Sequence, residues 1–302
     1  MERDDYLLLA FLAGLWGASF LFIKIAVHDI PPISMVFLRT LSAAAGIAVY
    51  MRATGVSIRG AFRKWKPGLV IAILNAAVPY VLIATSEKYI DSSLAGILNA
   101  AAPIWTALLA PVFAEAEQFH RRQGIGLALG FAGVVILAHP TGGILSSSFL
   151  SALAVLAATL AYAVATHYSR RHFQDVSPTV PAFLQCALAA LLLAPLAVFV
   201  HPDHVPPIGA IAATLWLGLG ATGLAMVISF RLIQRVGAGR TIVVTYLIPP
   251  SALLYGFIFL HERPAPVVFV ALAMILGGVF FITGRPGSRA TSVVNDAAVV
   301  EV

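Results

Sequence analysis

The sequence predicts an all-α polytopic membrane protein with ten transmembrane helices in two inverted five-helix repeats. Three observations carry that reading. First, the 302 residues are 60% hydrophobic and only 11% charged, which leaves too little polar surface to clothe a water-soluble domain. Second, the apolar residues gather into ten runs, most of them close to the about 20 residues a helix needs to cross a hydrocarbon core of roughly 30 Å. Third, the chain repeats itself at an offset of 146 residues: Pro32 returns as Pro178, Phe37 as Phe183, Leu38 as Leu184, Ala43 and Ala44 as Ala189 and Ala190, and Pro103 as Pro249, while Lys24 is answered by Arg170. A repeat with an odd number of spans must insert upside down relative to its twin. The expected division is 1–143 for the first repeat, 144–284 for the second and 285–302 for a cytoplasmic tail, expected to be disordered.

The runs lie near residues 6–27, 31–51, 67–86, 92–114, 123–139, 149–169, 178–200, 208–230, 240–260 and 265–283. The first follows a mixed-charge start without a cleavage pattern and is expected to be a retained helix, not a signal peptide. Lys24, near its outer end, can snorkel to the interface and is assigned to anchoring or gating. In the second run Arg39 lies nine positions from the outer side, roughly 12 Å inward at the helical rise and near the midplane. Its partners must be helix carbonyls, polar side chains or a bound anion. The third run carries Asn75 and Pro79 behind an interfacial Trp65. The fourth carries Asn99, Pro103 and Trp105. Gly126 and Gly130 in the fifth permit close helix approach, within the monomer or between two copies. Tyr162 and His167 sit in the sixth, the lone Cys186 in the seventh, Thr222 and Ser229 in the eighth, and Thr245, Tyr246, Pro249 and Pro250 in the ninth. His139 and His167 read as interface residues rather than proton carriers.

Charge sets the topology. If the N-terminus is cytoplasmic, 15 of the 19 Lys and Arg fall on inner segments and only Lys88 and Arg263 on outer loops, a strong positive-inside signal. Both termini are therefore expected in the cytoplasm. The basic residues are spread over separate loops, so nucleic acid is not an expected partner. All 13 Asp and Glu fall in tails, loops or span ends. No buried carboxylate is expected at membrane depth, which argues against carboxylate-based proton coupling. The same absence argues against paired-carboxylate hydrolysis and acidic metal sites. One cysteine leaves little for disulfide or thiol chemistry, and no cofactor is expected.

Trp16-Gly17-Ala18-Ser19-Phe20 followed by Lys24, then Pro31-Pro32 and Arg39, resembles the first two helices of the EamA family in the drug/metabolite transporter superfamily. The second copy answers with Ala161-Tyr162, Arg170-Arg171, Ser177-Pro178 and Gln185. Leu98-Asn99-Ala100-Ala101-Ala102-Pro103 and Tyr246-Leu247-Ile248-Pro249 each lead into a span ending near an acidic residue, Glu115 and Glu262. Gly130-Phe131-Ala132-Gly133-Val134 and Leu276-Gly277-Gly278-Val279 add to the match, which covers residues 6–284. The resemblance implies a ten-helix carrier in the cytoplasmic (inner) membrane, most often an exporter of metabolites, amino acids or drugs. It departs where Tyr162 replaces a tryptophan and Gln185 an arginine, so a chemically asymmetric cavity is expected.

Polar and aromatic groups that are costly in lipid should face that cavity. The candidates are Trp16, Ser19, Arg39, Asn75, Tyr80, Asn99, Trp105, Tyr162, Thr222, Thr245 and Tyr246, with Ser229 beside them. Lys24, Glu115, Arg170 and Glu262 are gating or anchoring candidates. The reading is a secondary transporter that moves a small organic solute by alternating access, with efflux as the direction the resemblance implies. Uptake or bidirectional facilitation is the first alternative, and an intramembrane enzyme acting on lipid-linked substrates is the second. The chain is expected as a monomer or weak homodimer in the lipid bilayer, without catalytic or metal-ligating residues.

Overall fold

A computed structural model of the protein describes residues 3–113, 121–137, 146–236, 241 and 244–283. Glu115, Glu117, His139, Arg240 and the expected tail lie outside the described residues. Those described form helices and connecting turns, with no strand among them. The elements are α1 (Arg3–Asp29), α2 (Pro32–Ala53), α3 (Ile58–Ala61), α4 (Trp65–Ala72), α5 (Val78–Ser86), α6 (Ser92–Asn99), α7 (Ala102–Leu109), α8 (Arg121–Leu137), α9 (Ser147–His172), α10 (Thr179–Phe199), α11 (Ile208–Trp216), α12 (Ala225–Val236), α13 (Val244–Phe259) and α14 (Pro266–Thr283). Among the described residues seven continuous helical runs are long and apolar enough to cross a membrane, and Val244–Phe259 and Pro266–Ile282 are shorter apolar helices. Their outward faces expose Leu41, Val49, Leu191, Val198 and Phe257 to the surroundings, as lipid-facing helices must. The chain is a multi-pass membrane protein.

Two spans depart from α geometry. Between α4 and α5 the chain widens into a π-helical segment, Ile73–Ala77. Pro79 follows at once, and its ring and missing N–H disturb the bond to the carbonyl of Asn75, four residues back. Between α11 and α12 a second π-helical segment runs from Leu217 to Leu224. Its glycines ease the wide turn, and Thr222 Oγ1 donates to the Leu217 carbonyl at 2.8 Å. At the repeat offset the two segments overlap. The fourth run is broken outright: Ala100 and Ala101 donate three residues back, to Ile97 and Leu98, and Pro103 restarts the helix as α7. Its counterpart α13 runs unbroken through Pro249 and Pro250. Of the four prolines that the sequence places within these runs, Pro79, Pro103, Pro249 and Pro250, each able to interrupt backbone bonding, the first two lie at an interruption.

Packing joins the halves through equivalent elements. The start of α2 meets the end of α10, where Ser34 Oγ donates to the Val200 carbonyl, so these two run antiparallel. So do α8 and α14: Gly126 abuts Gly278, Phe281 and Ile282, while Gly133 abuts Ala271 and Ile275. A Cβ on Gly126 would sit 2.6 Å from the Gly278 carbonyl oxygen. The glycine stripe of α8 is thus used inside the monomer. Asp5, at the start of α1, is buried and pairs with Arg235 of α12 at 3.2 Å.

Candidate functional site

A cavity of about 210 Å³ opens where the two π-helical segments and the broken fourth run converge, lined by Trp16, Ser19, Phe20, Ile23, Arg39, Asn75, Tyr80, Ile83, Asn99, Tyr162, Ala221, Thr222, Met226 and Ile248. Both halves contribute. Eight of the expected cavity residues are among them: Trp16, Ser19, Arg39, Asn75, Tyr80, Asn99, Tyr162 and Thr222.

Arg39 is the electrostatic centre. It is buried, its Nε donates to Thr222 Oγ1 at 3.1 Å, and its guanidinium carbon lies 3.9 Å from the centre of the Tyr80 ring. That ring meets Tyr162 edge-on at 6.5 Å. Among the described residues no carboxylate comes within ion-pair distance of Arg39. The π-helical Leu217–Leu224 makes this close approach possible. A Cβ on Gly218 would collide with Ser42 Oγ and stand 2.5 Å from the Arg39 carbonyl oxygen.

The amides divide the labour. Asn75 Nδ2 donates to Gln185 Oε1 at 2.7 Å, and Gln185 Nε2 reaches Met226 Sδ at 3.5 Å. Asn99, the last residue of α6, keeps a buried Oδ1 without a hydrogen-bond partner. Beyond the Asn75–Gln185 pair lies a second cavity of about 630 Å³, lined in part by Asn75, Thr166, Ser169, Arg170, Gln185 and Ile233. Arg170 is exposed there.

Three expected residues face elsewhere. Trp105 lies past the break that re-aims α7, with its ring edge-on to Phe131 at 5.0 Å. Tyr246 joins the same cluster of Ile97, Ile104 and Ile275. Thr245 and Ser229 do not line the cavity either, and it is Ile248 that α13 presents to it. His167 is buried, stacked on Phe113 and bonded to the Thr106 carbonyl, not at an interface.

The opposite end is tightly bonded. Lys24 does not snorkel; its Nζ donates to the carbonyls of Glu87 and Ile90 at 2.5 and 2.7 Å, the free carbonyls that follow α5. Glu262 turns back to accept the backbone N–H groups of Ser92 and Ser93 at 2.7 and 3.0 Å, capping α6 from a distant part of the chain. His261 takes a left-handed φ of 56° to make that turn, and a Cβ on Gly256 would strike the Glu262 carboxylate. Asp91 is exposed as a residue, but partial desolvation of its carboxyl first, then the like charge of Glu262, raises it above the ordinary range against the pull of Lys24. On the other side of the bundle, a hydrogen bond from Lys64 at 2.8 Å holds the exposed Asp175 below it.

Glu87, which the sequence places at a span end, is the most deeply buried of the described carboxylates. It is fully buried, and neither carboxylate oxygen has a hydrogen-bond partner. Its position at a span end suggested exposure; the loop that follows and Glu262 fold over it. Phe20, Ile23, Ile83 and Met226 were also missed, because apolar cavity walls carry no signal distinct from core.

The arrangement is that of a polytopic carrier, with a polar chamber enclosed by helices of both halves. The chain belongs to the EamA-like transporter family, whose description matches residues 6–138 and 149–284. It is similar to an uncharacterised transporter of Archaeoglobus fulgidus, 24% identical with 93% of this chain and 99% of that one covered. A protein of Streptantibioticus cattleyicolor named a probable terminal-alkyne amino-acid exporter is 27% identical, with 91% of each chain covered. The inner membrane transporter YedA of Escherichia coli K12 is 23% identical over 89% of this chain and 87% of its own. A solved crystal structure shares the fold, with a TM-score of 0.67 at 21% identity over 93% of this chain and 96% of that one.

Proposed function

We propose that this transporter exports a small organic solute bearing a carboxylate, an amino acid or related metabolite, across the cytoplasmic membrane by alternating access. The observation that carries the reading is Arg39: a buried cation aimed into a chamber, with no acidic partner among the described residues, is stabilised by an anion arriving from outside the protein. Asn99 Oδ1 offers an acceptor for an ammonium group, and the Trp16, Tyr80 and Tyr162 rings offer faces to it. A volume of about 210 Å³ suits an amino-acid-sized molecule, some seven waters at roughly 30 Å³ each. The name of the Streptantibioticus relative supports both the solute class and the direction.

The antiparallel pairs α2 with α10 and α8 with α14 support two inverted five-helix repeats, the first over 1–143 and the second over 144–284. With the termini in the cytoplasm, the cavity at Arg170 is the inner vestibule, the Lys24 end is the closed outer side, and the hydrogen bond between Asn75 and Gln185 is the partition between vestibule and chamber. Rocking one half against the other exchanges which end is open.

Binding tests this directly. Purified protein is expected to gain thermal stability from amino acids but not from their amides or esters, because a bound solute stabilises by mass action. Arg39→Ala should weaken that stabilisation by about 10- to 100-fold in solute concentration, the worth of a charge-assisted hydrogen bond. Equal stabilisation by carboxylates and amides would contradict the proposal.

A further inference from the structure

Two ends of the molecule that correspond at the repeat offset are in opposite conditions. Ala165, Thr166, Ser169, Arg170 and Ile233 line the open vestibule. Of their counterparts, Ser19, Phe20 and Ile23 line the central chamber, and Lys24 and Glu87 stand beyond it at the sealed end. There Lys24 is bound by carbonyls, Glu262 by the start of α6, and Glu87 is fully buried without a donor to either oxygen. Ile83, one turn before Glu87, lines the central chamber. A hydrocarbon side chain, Ile233, occupies the equivalent place at the open end, so the carboxyl of Glu87 has no counterpart there.

A buried carboxylate without donors is costly when charged and takes up a proton instead. The charged and titratable groups facing Glu87 are Lys24 from α1, Glu262 from the turn after α13 and, through space, Arg39 from α2; Asp91 sits in its own loop. On its remaining flank α9 presents Ser151, whose carbonyl accepts from Ser86. None of these comes within ion-pair or hydrogen-bond distance of its carboxylate. A metal ion does not fit, because among the described residues no three His, Cys, Asp or Glu side chains converge on one point.

We propose that Glu87 is a proton-binding site that controls the sealed end: it carries a proton while that end is closed, and the proton leaves to the aqueous phase on that side when the end opens and water reaches the carboxylate. Acid on that side therefore holds the chamber shut, and ionised Glu87 beside Lys24 favours the open form. This rests on the alternating-access reading above.

The test places a thiol at the chamber's edge, Ile83→Cys in a Cys186→Ala background, in sealed vesicles, and measures its reaction with a membrane-impermeant thiol reagent added on the Glu87 side across a range of pH. Rates are divided by those of an exposed Tyr89→Cys to cancel the reagent's own pH dependence. The relative rate should rise by up to about tenfold per pH unit, as one titrating group allows. Adding Glu87→Gln should leave it slow at every pH, and Glu87→Asp should restore the response. A pH response that survives Glu87→Gln overturns the proposal while leaving alternating access intact. A thiol that reacts from neither side, with or without solute, overturns both. If Glu87→Gln does not fold, the infrared spectrum of the unsubstituted protein decides: a carboxylic-acid carbonyl band is expected at neutral pH, and its absence contradicts the proposal.

Discussion

The two halves place different chemistry at equivalent positions. Arg39, Asn75, Tyr80 and Trp16 of the first half answer to Gln185, Ala221, Met226 and Tyr162 of the second, and of these eight residues all but Gln185 line the central cavity. Charge and the free amide come from the first half, whereas the second supplies a hydroxyl at Thr222, a thioether and a tyrosine ring. The backbone follows the same division. Both halves carry a π-helical segment at corresponding places, but only the first breaks its following span, between Asn99 and Ala102. A duplicated scaffold thus keeps equivalent packing pairs while its chamber carries a single cationic pole, the asymmetry on which the proposed binding of a carboxylate rests.

Substitutions at corresponding positions sharpen that comparison. Gly218 presses against the Arg39 carbonyl and Ser42, whereas its counterpart Ala72 is fully buried and already carries a methyl group. Gly218→Ala should cost about 3 kcal/mol through overpacking against backbone, read as a lowered melting temperature. The exposed Gly209→Ala, with nothing near its Cβ, should change little. Equal tolerance at both glycines would mean that the second π-helical segment is not held against α2. A smaller effect is expected at the two basic residues. Lys24→Ala removes two charge-assisted bonds to buried carbonyls and should cost about 2 kcal/mol, while Arg170→Ala at the exposed counterpart, where water competes for any bond, should cost less.

The smallest effect separates the two ends by pH. Burial raises the carboxyl of Asp91, so its charge opposes folding above that raised value and the cost fades as pH falls toward the ordinary carboxylate range. Asp91→Asn should raise the melting temperature slightly at neutral pH and lose that advantage in acid. Asp175 has the opposite sign. Lys64 lowers its carboxyl, a gain present at neutral pH and lost in acid, but the pair is exposed and screened, so Lys64→Ala should barely move the melting curve. Identical pH behaviour of the two variants would erase the distinction.

Hydropathy and the internal repeat made the helical, membrane-embedded architecture legible in the sequence, because about 20 apolar residues in succession have few other uses. Arg39, Asn75, Asn99 and Thr222 were legible for the same reason inverted: each is costly in lipid and so turns inward. What could not be read was local geometry. A one-residue widening at Ile73–Ala77 or Leu217–Leu224 leaves no periodicity of its own, and the break after Asn99 turns Trp105 away from the chamber its ring was expected to face. Glu87 escaped notice because a carboxylate at the end of a span reads as solvated; only the folded loop and the distant Glu262 decide that it is buried.

Counterflow in proteoliposomes tests the central claim most directly. Vesicles loaded with an unlabelled amino acid that stabilises the purified protein should accumulate the labelled form from outside, the amide of the same solute should not exchange, and Arg39→Ala should reduce the rate at least about tenfold while Arg39→Lys retains part of it. Exchange that is indifferent to Arg39, or that passes amide and carboxylate alike, would contradict a chamber built around a cation awaiting an anionic solute.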